Sequence, residues 1–247
     1  MIDLLSLAAA GEVGGDFFKE RSSDTLPCQA KPGHLFCFDW ARENIDRYGT
    51  PTQQHIELVV LSLLLGFVVA FALALLAHRN RWLRPPLLAG TGILYTIPSI
   101  AFFFLLLPIT GRGRDTAIIV LAAYTLQIIY RNTMLGLANV PDSAKTAAKG
   151  MGMTDRQILW RIELPLAVPE IVAGLRIASL STMAIATLAV FVATEGLGTQ
   201  IYGSGNLTFP TSIIIAAAIV MAMAMAIDVI LLTAQRLLTP WRRASTA

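Results

Sequence analysis

The sequence predicts an all-α membrane protein of five transmembrane helices, with the N-terminus outside the cell and the C-terminus in the cytoplasm. Three observations predict it. Only 14% of the 247 residues are charged and 55% are hydrophobic, against roughly 25% charge in a soluble domain. The apolar residues fall into five blocks, each near the roughly 20 residues that cross a ~30 Å hydrocarbon layer. Lys and Arg collect in the segments that five crossings place on one side, and that side is the cytoplasm.

Residues 1–55 read as a retained extracytoplasmic tail. The apolar run near its start is short, and Asp3 stands where a signal peptide carries basic residues. The tail holds five Lys or Arg against eight Asp or Glu, a net of −3. Within it Phe38, Ala41, Ile45 and Tyr48 share one helical stripe, with Asp39 placed to cap and Gly49 then Pro51 to stop. A short helix lying at the outer interface fits that stripe, and Trp40 and Tyr48 suit the position. Cys28 and Cys37 both lie in the tail with eight residues between them, where a disulfide persists. A bridge or two free thiols are the alternatives.

The membrane domain covers residues 56–240. Its first span, 57–77, has only Ser62 and Gly66 as non-apolar residues after Glu57. The second, 87–108, fills the charge-free gap between Arg84 and Arg112. The third, 116–140, is broken by Arg131-Asn132-Thr133; the fourth, 171–194, contains Arg176; the fifth, 211–235, contains Asp228. The segments 78–86, 141–170 and 236–247 carry ten Lys or Arg, whereas 109–115 and 195–210 carry only Arg112 and Arg114.

The motifs of the sequence argue against catalysis by this chain. It has no G-x-x-x-x-G-K-[ST], H-E-x-x-H, C-x-x-C or G-x-S-x-G, and three scattered histidines with two cysteines make no metal cluster. Nothing in it suggests nucleic acid. Transport or scaffolding remains.

The cytoplasmic loop 141–170 is too structured for a linker. Residues 142–149 read as a helix ending at Gly150-Met151-Gly152. Thr154 and Gln157 have the spacing of a capping box, which opens a second helix running toward Glu163, and Leu164-Pro165 then stops it. Ile158, Leu159, Trp160 and Ile162 give this helix more apolar surface than a solvated loop requires. Two short helices around a glycine turn suit either docking of a cytosolic partner or packing against the bundle.

Here the sequence resembles the permease subunits of binding-protein-dependent ABC importers, whose motif runs E-A-A, three residues, G, nine residues, I, one residue, L-P. Ala147-Ala148, Gly152, Ile162 and Leu164-Pro165 match every spacing, and Gly150 lies in the same turn. Thr146 replaces the usual glutamate. The resemblance implies the type I importer permease fold and a coupling helix seated in a cleft of a separate ATPase subunit, which binds ATP and Mg; no cofactor is implied in this chain. Thr96-Ile97-Pro98-Ser99-Ile100-Ala101 resembles the osmoprotectant subfamily, whose solutes are glycine betaine, carnitine and choline. So do Gln54-His55-Ile56-Glu57-Leu58-Val59, Arg131-Asn132-Thr133, Gly150-Met151-Gly152-Met153 and Gly196-Leu197-Gly198.

Four residues near the second span's centre are expected on the translocation pathway: Tyr95, Thr96, Pro98 and Ser99. Pro98 removes a donor and kinks or unwinds the span, and freed carbonyls must face protein or a wet cavity. A packing kink is the plainer alternative. Tyr95 offers a π-face to a quaternary ammonium. Arg131, Arg176 and Asp228 lie at similar depth on the cytoplasmic side, which predicts one buried charge cluster rather than a solute site. The glycine-rich segment 195–210 suits a gate or a binding-protein surface, or a plain outer loop. The resemblance implies a bacterial inner-membrane importer working by alternating access, with a second identical or sister permease, ATPase subunits and a solute-binding protein as partners in the bilayer. An importer for an amino acid or a betaine-type thione, or a non-transporting scaffold that docks a cytosolic protein, is the alternative.

Overall fold

Residues 36–203 and 210–241 are described in the computed structural model of the chain. Cys28, His34, Arg242, Arg243, the start of the tail and positions 204–209 of the glycine-rich loop lie outside the described residues. The described elements are helices throughout. Four of them are long and apolar enough to cross a membrane, and two shorter ones joined at a bend make a fifth crossing.

The tail contributes helix α1 (Phe38–Glu43) and a 3₁₀ turn at Ile45–Tyr48. Helix α2 (Gly49–Arg79) follows at once. Gly49 and Pro51 therefore start the first span instead of stopping the tail helix. Gly49 is right-handed helical (φ −58°, ψ −60°), and a proline in a first turn removes an N–H that has no partner there anyway. Asp39 lies in the first turn of α1, and the capping position belongs to Cys37, whose N–H donates to Thr211 Oγ1 at 3.0 Å. The expected stripe is only half right. Trp40 and Tyr48 are buried, but Phe38 and Ile45 are exposed. The segment turns its covered side to the bundle, against Leu197, Ile215 and Ala216, with the Tyr48 hydroxyl 3.1 Å from Ser212 Oγ. Cys37 is disulfide-bonded.

The second crossing is α3 (Arg84–Thr96) plus α4 (Ser99–Thr110), bent by 101° at Ile97-Pro98. A residue before proline is pushed out of the helical region, and Ile97 is extended (φ −66°, ψ 128°). At 1.5 Å per residue α3 and α4 reach about 20 Å and 18 Å, so neither crosses alone. The carbonyl freed at Ile97 accepts the hydroxyl of Tyr124.

Helix α5 (Arg114–Ala138) sits at the centre and packs on α2, α3, α4 and the long helix that carries Gly174. Contact with that helix is close because Gly174 has no side chain: a Cβ there would meet the Asn132 Cβ at 2.4 Å. Small residues at such crossings let helices approach in a membrane, where lipid tails remove the usual apolar driving force.

After α5 come α6 (Asp142–Gly150) and α7 (Asp155–Phe191). Their joint is a Schellman turn: Met153 N–H donates to Ala148 O at 3.1 Å and Gly152 N–H to Lys149 O at 2.9 Å. Gly152 has φ +80°, a conformation a side chain disfavours. The Thr154–Gln157 capping box is formed in both directions. Thr154→Ala is expected to loosen this turn by about 1 kcal/mol, read as faster amide exchange over 153–158 with the remaining helices unchanged.

Leu164-Pro165 does not stop α7, contrary to the sequence reading. The helix widens into a π turn over Leu159–Glu163, where Leu164 N–H bonds to Leu159 O, and continues as α-helix through Ile185. Pro165 lacks an N–H and its ring would crowd the carbonyl four residues earlier; the wider turn just before it accommodates both. The fourth span therefore extends without interruption from the 141–170 loop. Short α8 (Gly198–Tyr202) and the long α9 (Pro210–Leu238) complete the chain.

Candidate functional site: the docking turn and the cavity beside the broken span

The α6–α7 turn has a buried base and an exposed crest. Ala148, Ile158 and Leu164 are buried. Ala147, Gly150 and Gly152 are exposed, as are the side chains of Met151 (69%) and Trp160 (53%). Ile162 and Pro165 are half-buried between them. Thr146, where the motif carries glutamate, is exposed beside Ala147. At the turn itself the exposed residues are small or apolar, Gly150, Met151 and Gly152, with the charged Lys149, Asp155 and Arg156 exposed beside them. Its base meets the first span, where His78 Nε2 lies 2.8 Å from Glu163 Oε2. Sequence reading missed this pair, since the two residues are 85 positions apart.

A cavity of about 820 Å³ lies beside α3 and α5, lined among others by Arg84, Tyr95, Gln127, Tyr130, Arg131 and Asn132. Tyr95 meets Tyr124 edge-on at 5.9 Å, and Tyr124 meets Phe102 edge-on at 5.8 Å. Thr91 donates to Gln127 Oε1 at 2.5 Å and ties α3 to α5. Of the other expected pathway residues, Thr96 donates to Ile93 O at 2.7 Å, while Pro98 and Ser99 form the break itself.

The expected three-charge cluster is a pair. Arg176 Nε and Nη2 donate to Asp228 Oδ1 and Oδ2 at 2.8 Å and 2.9 Å, a bidentate bond joining α7 to α9. Arg131 faces the cavity instead. Its neighbour Asn132 is the residue turned toward α7 at Gly174, and one position along a helix rotates a side chain by about 100°.

At the start of α2, Gln54 Oε1 accepts the Gly196 N–H at 3.1 Å. His55, fully buried, donates from Nε2 to Met183 O at 3.1 Å. Arg114 Nη2 meets Glu57 Oε2 at 2.6 Å. The Gln54 bond sets Gly196, at the start of the glycine-rich loop, against the first turns of α2.

The family model described as "Binding-protein-dependent transport system inner membrane component" matches residues 62–244. The chain belongs to that family. It is therefore a multi-pass inner-membrane permease subunit, and the α6–α7 turn, the cavity and the Arg176–Asp228 pair all fall within the matched stretch. A choline transport system permease protein of Bacillus subtilis (strain 168) is 35% identical over 189 residues, covering 76% of this chain and 87% of that one. A glycine betaine/carnitine/choline transport system permease protein of the same organism is 36% identical over 191 residues, covering 77% and 83%. An osmoprotectant import permease protein of Salmonella typhimurium is 32% identical over 203 residues, covering 80% and 94%. Among solved structures, the MetNI methionine ABC transporter in an inward-facing conformation superposes with a TM-score of 0.69 at 20% identity, covering 82% of this permease and 100% of that chain. That likeness gives the type I importer permease fold.

Proposed function

We propose that this permease moves a small osmoprotectant carrying a quaternary ammonium, such as glycine betaine, carnitine or choline, into the cell. The observation that supports it is the cavity beside the break, which joins the aromatic face of Tyr95 to the guanidinium of Arg131. That combination complements a zwitterion with an ammonium at one end and a carboxylate at the other. The N-terminus lies outside, and the α6–α7 turn lies in the cytoplasm. There Ala147, Gly150, Met151 and Gly152 seat in a separate ATPase subunit, which binds ATP and Mg and hydrolyses the nucleotide. A second permease copy or sister subunit completes the passage, since five crossings are few to enclose a solute, and an extracytoplasmic binding protein delivers the solute at the loop over α2.

ATP binding draws the two docking turns together and opens the cavity outward; hydrolysis resets it inward. The solute-loaded binding protein drives the cycle by favouring one of these states over the other.

Uptake of labelled glycine betaine and choline tests this reading, in cells stripped of other importers. Tyr95→Ala is expected to lower uptake at subsaturating solute about 2- to 5-fold, the scale of an exposed cation–π contact, with Tyr95→Phe close to the parent. Absence of uptake of every quaternary ammonium by the parent complex, alongside uptake of another solute, would overturn the assignment.

A further inference from the structure

Helix α2 is held at both ends by contacts distant in sequence. Inside, His78 meets Glu163 at 2.8 Å. Glu163 is the unspecified residue of the I-x-L-P stretch, placed at the end of the π turn beneath the docking crest. It is only 7% exposed, and a carboxylate so placed requires a partner. Arg84 secures the same end of α2 by donating to the carbonyls of Ala77 at 3.1 Å and His78 at 3.3 Å. Outside, Gln54 holds the Gly196 turn, His55 holds the Met183 carbonyl and Glu57 holds Arg114.

Between those ends α2 is 31 residues of continuous α-helix with no proline beyond its first turn. Its length is about 46 Å. Helix α7, the direct covalent route from the docking turn, is a softer connection. It contains a π turn, Pro169 inside the helix and a 3₁₀ stretch at Ala186–Phe191, the features at which helices bend.

We infer that the His78–Glu163 pair is the joint through which movement of the docking turn passes into α2 and on to the outer loop at Gly196. The inference rests on the importer reading. His78 and Glu163 are positioning residues, for they act on solute and nucleotide only through α2. Losing the joint leaves docking surfaces intact and separates ATP turnover from events at the outer face.

The test uses the complete complex, reconstituted in vesicles with its ATPase subunit and solute-binding protein. It reads basal hydrolysis, stimulated hydrolysis and solute moved per ATP. His78→Ala and Glu163→Ala are each expected to keep basal hydrolysis and to lower solute moved per ATP by about tenfold, within the usual range of coupling between two sites. Glu163→Gln retains an acceptor for His78 and should stay near the parent. The exchange His78→Glu with Glu163→His rebuilds the pair in reverse and should recover most of the ratio. Parental ratios in both alanine variants, or an assembled exchange variant no better than either, overturn the joint. Should an alanine variant fail to assemble, cysteines at 78 and 163 linked by a short bifunctional thiol reagent decide. Transport that survives linkage supports a joint that moves as one body, and transport blocked by linkage overturns it. A parent complex that no solute stimulates would instead sink the importer reading.

Discussion

Asp228→Leu is expected to weaken the permease severely by leaving Arg176 without its carboxylate. The two side chains make a bidentate bond between α7 and α9, and α9 buries little of itself elsewhere in the chain. Removing one partner of a charge pair within the spans leaves the other charge unpaired there, which is costly. Detergent melting of the single variant should fall well below the parent, with a lower yield of assembled protein. Arg176→Leu added to Asp228→Leu should recover much of the loss, since two apolar side chains leave no charge behind. Arg131→Leu added to Asp228→Leu should recover none, because Arg131 faces the cavity. Equal melting of the two double variants would show that the pair contributes nothing particular.

Gly152→Trp is expected to abolish solute-stimulated ATP hydrolysis while leaving membrane insertion intact. A Cβ at Gly152 meets nothing within 4 Å, so the added ring projects away from the permease and into the space a docked partner occupies. The backbone there has φ +80°, and any side chain adds about 1–2 kcal/mol of local strain. Gly152→Ala carries that strain without the bulk and should keep most of the stimulation. If tryptophan and alanine reduce stimulated hydrolysis equally, strain in the turn, rather than obstruction of docking, is the cause.

The spans were legible because charge is excluded from hydrocarbon, so the gaps between charged residues in the sequence mark the membrane. The break at Pro98 was legible too, since proline acts on its own neighbours. So was the Thr154–Gln157 box, which is a local pattern. Pro165 misled because whether a proline ends a helix depends on the turn before it, and a π turn has no sequence signature of its own. Gly49 and Pro51 misled because a glycine followed by proline suits a helix end and a helix start alike. Arg131 was assigned to the wrong neighbours because sequence gives depth in the bilayer but not rotation about the helix axis. His78–Glu163 and Gln54–Gly196 are pairings across 85 and 142 positions, and nothing local announces them.

The right-angle break between α3 and α4 also makes the second crossing depend on a neighbour. Each half is shorter than the hydrocarbon is thick, so only the two together reach across. The carbonyl left open at Ile97 is met by Tyr124, and Tyr124 belongs to the helix synthesised next. The backbone opened in the second crossing is thus satisfied by a side chain of the third, which ties the shape of one span to the presence of the other.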